Sequence, residues 1–139
     1  MLPLRSKNKK SKGRAGVIVI KEADNEFFVL ALRVYGSYDL PKGGVEPFET
    51  EFMAAIRETE EESGITDLEF QWGLASTKVR NVELFIAKTQ EEPVIRPNPE
   101  TGEYEHHDAK WLTFQQASEK LHPYLRPSIE WAKNIVLGV

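Results

Sequence analysis

The sequence predicts an α/β fold, because strand-like segments near the N-terminus are followed by one helical segment in the middle and another near the C-terminus. Residues 16–21 and 27–33 are apolar and rich in β-branched side chains. The turn signal at Asp24 and Asn25 separates them, so they predict a hairpin. Such a mixture of strands and flanking helices favours an α/β sandwich.

The central helix is predicted over residues 50–63. Glu49 and Glu51 lie near its positive N-terminal end, and Gly64 is suited to ending it. Its core-facing stripe is predicted to consist of Phe52, Ile56 and Thr59. The other elements are predicted as strands at 68–78, 81–88 and 109–113, loops at 35–44 and 91–107, helical turns around 114–121 capped by Thr113 or Ser118, and a closing helix at 127–136.

The composition is that of a globular protein with a single core. The chain has 139 residues, 40% of them hydrophobic, and it lacks cysteine, which excludes disulfides and thiolate metal sites. No apolar stretch approaches membrane-spanning length, and the N-terminus lacks the apolar part of a secretory signal, so we expect a cytoplasmic protein. The net charge of −4 argues against a general nucleic-acid binder.

The N-terminus differs in charge from the rest of the chain. Residues 1–14 contain six lysines and arginines, at positions 5, 7, 9, 10, 12 and 14, and no acid. We expect residues 1–13 to form a flexible basic arm and residues 14–139 to form one domain. An arm that contacts polyphosphate or RNA is the alternative.

Three glutamates, Glu58, Glu61 and Glu62, are the candidate metal ligands. Positions i, i+3 and i+4 share one face of a helix, so the three carboxylates lie together and repel one another. A divalent cation would relieve that repulsion, and hard cations such as Mg²⁺ prefer oxygen ligands and are often shared with substrate phosphates. For a Glu-rich helix taken alone, a solvated acidic face is the alternative.

The wider segment resembles the Nudix box, G-x5-E-x7-R-E-U-x-E-E-x-G-U, where U is apolar. The fixed positions are matched by Gly43, Glu49, Arg57, Glu58, Glu61, Glu62 and Gly64, while Thr59 departs from the first U. So many fixed matches arise by chance at a rate of about 10⁻⁸ to 10⁻⁹ per starting position. The resemblance implies a Nudix-type α/β/α sandwich with a mixed sheet and the catalytic helix packed on it.

The resemblance to Nudix enzymes also implies roles for individual residues. The box glutamates are expected to bind one or more Mg²⁺ or Mn²⁺ ions, and Glu58 or Glu61 to help deprotonate the attacking water. Arg57 is expected to pair with Glu49 and to brace the loop against the helix. The carbonyl of Lys42 is implied as a further metal ligand.

The segments that flank the box are similar to those of asymmetric diadenosine tetraphosphate hydrolases. LPKGGVEP at 40–47 resembles their L-P-K-G-x-V-E-P, and EHHDAKWL at 105–112 resembles their E-H-x-x-x-x-W-L. This likeness implies that Glu105, on a mobile loop, contributes to the metal site or to catalysis. It also implies that His106 lies near the polyphosphate, with a plain solvated histidine as the alternative.

Substrate-binding candidates surround the box. They are Arg33, Tyr38, Lys42, Gly43, Gly44, Lys78, Arg80 and His106. The glycines let the backbone approach a ligand, and the cations suit phosphate, although Lys78 and Arg80 could instead simply end a hairpin. Aromatic candidates for stacking a base are Tyr35, Tyr38, Tyr104, Tyr124 and Trp131. The connection 79–81, where the tetraphosphate hydrolases carry an aromatic residue, has no Tyr or Phe.

The resemblance implies a Mg²⁺-dependent hydrolase of a nucleoside diphosphate linked to another moiety. The favoured substrate is a dinucleoside tetraphosphate, cleaved to a nucleoside triphosphate and a monophosphate. Diphosphoinositol polyphosphates, RNA 5′ ends and ADP-ribose are alternatives within the same chemistry. A non-catalytic nucleotide-binding Nudix module is the alternative of another class, although such modules tend to lose box acids that this chain keeps. The expected partner is a small nucleotide, and the oligomeric state stays open.

Overall fold

A computed structural model of the protein describes residues 13–106 and 108–139. The predicted N-terminal arm, apart from Gly13, lies outside the described residues. Within the described ranges, none of the helices combines the length and the apolar character needed to cross a bilayer.

Strands dominate the N-terminal two thirds of the described chain, and helices close it. The strands are β1 (Arg14–Ala23), β2 (Glu26–Val34), β3 (Ser37–Asp39), β4 (Lys42–Gly44), β5 (Ser76–Val79), β6 (Val82–Lys88) and β7 (Asp108–Leu112). The helices are α1 (Glu51–Ser63), α2 (Phe114–Lys120) and α3 (Arg126–Leu137), and a 3₁₀ turn (Pro123–Leu125) precedes α3. Every predicted helix and strand therefore has a counterpart in the structure, whereas the two short strands β3 and β4 were not predicted.

The strands form one mixed sheet with β1 at its centre. The order is β3-β2-β1-β6-β5, and β4 pairs with β1 while β7 pairs with β2. β1 runs parallel to β6 and antiparallel to β2 and β4. At its N-terminal end, Arg14 is opposite Val82 of β6, and Gly16 is opposite Lys42 of β4. This end of β1 is where the candidate site is built.

Alternate side chains of β1 enter different cores, because successive residues of a strand point to opposite faces. Val17 and Val19 pack in the cluster that contains buried residues of α1. Ile18 and Ile20 pack in the cluster that contains buried residues of α2 and α3. Helices therefore cover both faces of a mixed sheet, and the predicted α/β/α sandwich is confirmed.

Two predicted segments differ from the observed elements. The predicted loop 35–44 contains β3 and β4, strands too short to show a periodic pattern. The strand predicted over 68–78 is shortened to β5, and of its first half only Glu69 makes a bridge, to Lys88. Gly73 lies between these two parts with a positive φ of 97°, which interrupts an extended backbone.

Both ends of α1 are set by local hydrogen bonds. The side chain of Thr50 accepts a hydrogen bond from the Met53 N–H at 3.1 Å and caps the N-terminus. Gly64 takes the left-handed conformation, with φ 77°, and donates its N–H to the Glu60 carbonyl at 2.8 Å. The predicted termination at Gly64 is confirmed.

The buried face of α1 differs from the predicted stripe. Its buried residues are Ala54, Ala55, Thr59 and Ser63. Phe52 and Ile56 are only partly buried, although Phe52 still packs against the same core, with its ring centroid 5.2 Å from that of Phe85. Thr59 donates its hydroxyl to the Ala55 carbonyl at 2.8 Å, so it fills the apolar position of the box without leaving a buried donor unpaired.

Candidate active site

Glu58 lies directly against the backbone of β4. A Cβ atom added to Gly43 would stand only 2.1 Å from the Cδ atom of Glu58. The carboxylate therefore occupies the space that any other residue at position 43 would fill, and the side chain of Glu58 is only 13% exposed. The first and fourth fixed positions of the box thus depend on each other sterically.

Glu62, one turn further along α1, is also largely buried. Its Oε1 atom accepts the backbone N–H of Lys42 at 3.2 Å and lies 3.9 Å from Nε2 of His106. Burial raises the pKa of Glu62 to about 9, and the negative charge of Glu58 adds to the rise. Burial also raises the pKa of Glu58, with Arg57 opposing the rise. Two adjacent buried acids disfavour their own ionisation unless a cation neutralises them.

Arg57 ties α1 to the loop that precedes it. It donates from Nε and Nη2 to the two carboxylate oxygens of Glu49, at 2.7 and 3.0 Å, and from Nη2 to the Gly44 carbonyl at 2.8 Å. Its Nη1 donates to Glu58 at 3.0 Å and to Glu61 at 3.3 Å. The expected pairing of Arg57 with Glu49 is present. A guanidinium that binds a loop and two acids together holds the relative position of both.

The three box acids lie in a cleft of about 270 Å³, called here the acidic cleft. It is lined by Arg14, Lys42, Gly43, Glu58, Glu61, Glu62, Arg96, Asn98, Pro99, Glu105 and His106. Folding therefore brings Glu105 and His106, from the loop before β7, to the same cleft as α1. The Asn98 side chain donates to the Glu105 carboxylate at 2.5 Å.

The oxygen atoms that line the acidic cleft are suitable ligands for a hard divalent cation. Carboxylates of Glu58, Glu61, Glu62 and Glu105 line it, and oxygen ligands are those that Mg²⁺ prefers. Across residues 13–106 and 108–139, no three His, Asp or Glu side chains are already arranged to hold a metal ion. Glu61 is paired with Arg57, so it would have to exchange that partner to become a ligand.

Several predicted substrate-binding residues lie away from the acidic cleft. Arg80 lines a neighbouring cleft, and Lys78 is exposed on β5. Arg33 donates to the Tyr35 carbonyl at 3.0 Å beside a separate surface depression. Tyr38 is partly buried against the core on the α2 and α3 side of the sheet. The structure therefore groups Lys42, Gly43 and His106 with the box acids and leaves the others outside.

The aromatic candidates for stacking a base are also dispersed. Tyr124 lines the neighbouring cleft, and Trp131 packs partly buried against the core. Tyr35 and Tyr104 are exposed side chains that line neither of these two clefts.

Sequence reasoning missed four residues that line the acidic cleft: Arg14, Arg96, Asn98 and Pro99. Arg14 lies at the first position of β1, and its place beside an acidic helix depends on the pairing of β1 with β4. Arg96 and Asn98 come from a loop that has no periodic pattern. Arg96 donates to the Glu60 carbonyl at 2.9 Å, which brings the loop against α1. No sequence signal identifies such a contact.

A family model described as NUDIX domain matches residues 10–132 of the chain. No curated protein sequence matches this chain.

Solved structures resemble this chain over most of its length. A C. elegans Ap4A hydrolase in a binary complex is 22% identical, with a TM-score of 0.75, over 91% of this chain and 99% of that one. Another structure of C. elegans Ap4A hydrolase is 25% identical, with a TM-score of 0.63, over 89% and 96%. RenU, a Nudix hydrolase from M. smegmatis, is 16% identical, with a TM-score of 0.69, over 91% and 87%.

Proposed function

Because the chain belongs to the Nudix family of pyrophosphohydrolases, we propose that it hydrolyses a phosphoanhydride bond in a nucleoside diphosphate linked to another moiety. The proposed substrate is a dinucleoside tetraphosphate, and the products are a nucleoside triphosphate and a monophosphate. The observation that carries the proposal is the pair of largely buried acids, Glu58 and Glu62, which pack against Gly43 and Lys42. Adjacent carboxylates that are largely removed from water are stabilised as anions by a further cation, and Mg²⁺ is usually shared between protein carboxylates and substrate phosphates.

Mg²⁺ is the proposed cofactor, with Mn²⁺ as the alternative. Glu58, Glu61, Glu62 and Glu105 would hold it, together with the carbonyl of Lys42. When bound, such an ion neutralises phosphate charge and lowers the pKa of water.

The side chains of the acidic cleft would position and activate the remaining reactants. Glu58 or Glu61 would accept the proton of the attacking water. Glu61 has the more accessible carboxylate, 47% exposed against 13% for Glu58. Arg57 would hold Glu58 and the loop before α1 in fixed relative positions, through its hydrogen bonds to Glu58 and Glu49. His106 would lie beside the polyphosphate.

Two observations support a dinucleoside tetraphosphate over other linked nucleotides. The segments that flank the box resemble those of the tetraphosphate hydrolases at 40–47 and 105–112. A solved structure at 25% identity that spans almost the whole chain is an Ap4A hydrolase. Diphosphoinositol polyphosphates, RNA 5′ ends and ADP-ribose share the same bond chemistry and are therefore the competitors to be tested.

A substrate panel with Mg²⁺ in ¹⁸O-labelled water tests the proposal. We expect the highest kcat/KM on the dinucleoside tetraphosphate, with the label in only one of the two products. In the same assay Glu61→Gln should lower kcat by about 100-fold or more, because it removes a metal ligand or the base. Glu60→Gln, at the adjacent exposed position, is the matched control and should stay near wild type. No metal-dependent hydrolysis of any compound would indicate a non-catalytic nucleotide-binding module instead.

A further inference from the structure

A second cleft, called here the basic cleft, adjoins the acidic cleft and has a volume of about 600 Å³. Arg14 and Lys42 line both clefts, so they form the wall between them. Its other walls include Asp39, Arg80, Asn81, His122 and Tyr124. A ligand that fills one cleft can therefore extend past Arg14 and Lys42 into the other.

Over the described part of the chain, cations outnumber acids in the basic cleft, where Arg14, Lys42 and Arg80 line the walls with Asp39 as the one acid, whereas four glutamates line its neighbour. Nζ of Lys42 lies 2.9 Å from Oδ2 of Asp39, and this pair is largely removed from solvent. Among the residues that the structure describes, neither Arg14 nor Arg80 forms an ion pair with an acid. The cleft therefore keeps two arginines available to an anion, directly beside a cluster of carboxylates.

Arg80 stands at a backbone position that does not favour arginine. It is the first of the two residues that join β5 to β6, and its φ is 54°. The left-handed conformation costs an ordinary side chain about 1 kcal/mol, and Asn or Gly is the usual residue in such hairpin turns. The following residue, Asn81, accepts the backbone N–H of Arg14 at 2.9 Å. A strained turn thus brings one arginine next to the strand that carries the other.

The contacts of Tyr124 favour an anion over a nucleobase in this cleft. The guanidinium of Arg80 lies over the Tyr124 ring, 4.4 Å from its centroid. The His122 ring is also stacked near it, at 6.3 Å and 22°. A base that stacked on the covered face would have to displace the guanidinium, whereas a phosphate could accept hydrogen bonds from the guanidinium where it stands.

We propose that the basic cleft binds those phosphates of the substrate that are remote from the cleaved bond. The inference rests on the proposed function and narrows its substrate class to compounds that carry further phosphate beyond the cleaved anhydride. The phosphate chain starts at the box acids, passes Arg14 and Lys42, and ends against Arg80. In a dinucleoside tetraphosphate, these remote phosphates belong to the nucleoside triphosphate product.

Calorimetric titration of the full chain with tripolyphosphate, in buffer freed of divalent ions, tests the cleft without turnover. Arg80→Asn removes the cation but suits the left-handed turn, so this variant should melt no lower than wild type. We expect it to bind tripolyphosphate about tenfold more weakly, and Arg80→Lys to recover part of that loss. Lys110→Asn removes an exposed charge of β7 that lines neither cleft, and its affinity should stay within about twofold of wild type.

Arg80→Asn and Lys110→Asn each remove one positive charge and both keep the basic N-terminal residues. The comparison between these two variants therefore removes any contribution of the N-terminal residues to binding. Equal losses in the two variants, or no binding to the wild type, would overturn the proposal. So would adenosine binding that strengthens in Arg80→Asn while tripolyphosphate binding is unchanged, because the cleft would then be a base-stacking site.

A parallel titration with inositol hexakisphosphate separates two sources of the same phosphate chemistry. If either anion loses affinity in Arg80→Asn, the basic cleft is a phosphate-binding site. The anion with the lower Kd shows whether the cleft prefers phosphates on a chain or phosphates on a ring. Because these titrations need neither metal nor hydrolysis, a failure of the substrate panel leaves their result intact, and the reverse is equally true.

Discussion

At the scale of single residues, Gly43 and Glu58 show how one box position sets the geometry of another. The carboxylate of Glu58 lies where a side chain at position 43 would begin. Since the clashing atoms are the far end of a flexible side chain, a larger residue at 43 would displace Glu58 before it disturbed β4. Position 43 must therefore be glycine to leave room for the Glu58 carboxylate.

Gly43→Ala should weaken Mg²⁺ binding about tenfold or more, because its Cβ would stand 2.1 Å from the Glu58 carboxyl carbon and push a proposed ligand aside. The melting temperature should change little. Gly44→Ala is the matched control for metal affinity, since a Cβ there meets nothing within 4 Å. Mg²⁺ titration of both variants measures the effect, and equal affinities would refute the role given to Glu58.

At the scale of elements, α1 serves both as part of the core and as the carrier of the acids. Its buried face is made of small residues, so the helix lies close to the sheet and holds Glu58 and Glu62 against β4. Its C-terminal end follows directly after Glu62 and Ser63, at Gly64. The position of Glu62, the last proposed ligand, therefore depends on where the helix ends.

Gly64→Ala should lower the free energy of unfolding, measured by urea denaturation, by more than about 1 kcal/mol. An alanine there would hold φ at 77° and bring its Cβ to 3.2 Å from the Val94 carbonyl oxygen. Gly102→Ala has a similar φ of 75° and meets nothing within 4 Å, so it isolates the backbone strain. Equal losses in the two variants would mean that the Val94 contact and the helix end contribute nothing.

At the scale of the whole molecule, the sheet order places an acidic cleft beside a basic one. The parallel pairing of β1 with β6 brings Arg14 next to the turn that carries Arg80. The antiparallel pairing of β1 with β4 brings Lys42 beside the acids of α1. Two strands that flank a central one therefore supply opposite walls of a continuous surface.

The metal-free protein should lose stability as pH rises, and Mg²⁺ should restore it. The pKa of Glu62 is raised from 4.5 to about 9 in the folded chain, so the folded state binds more protons than the unfolded state across that window. The free energy of unfolding then falls as pH increases toward 9. We expect the rise in melting temperature caused by Mg²⁺ to be larger near about pH 8.5 than near about pH 6, because at higher pH the ion no longer competes with a proton.

Glu62→Gln is the control for this pH dependence, because it cannot ionise. Its metal-free melting temperature should change less between the two pH values than that of the wild type. A wild-type profile no steeper than that of Glu62→Gln would show that Glu62 does not carry the proton.

The sequence by itself determined the features that depend on local spacing. The alternation of apolar segments, the helix that ends at Gly64 and the shared face of Glu58, Glu61 and Glu62 all follow from the period of a strand or a helix. The pairing of Arg57 with Glu49 followed from the resemblance to the Nudix box, which covers both residues. These contacts lie within one segment of chain, so a linear pattern is enough to describe them.

Only the tertiary structure decided which distant residues meet those acids. Arg96 and Asn98 reach the acidic cleft through an irregular loop, and Arg80 joins Arg14 because β5 and β6 pair beside β1. The buried face of α1 likewise follows the sheet on which it packs: it centres on Ala54, Ala55, Thr59 and Ser63, with Phe52 packed at its edge. Such placements depend on register and loop path, and these are set by packing between segments far apart in the sequence.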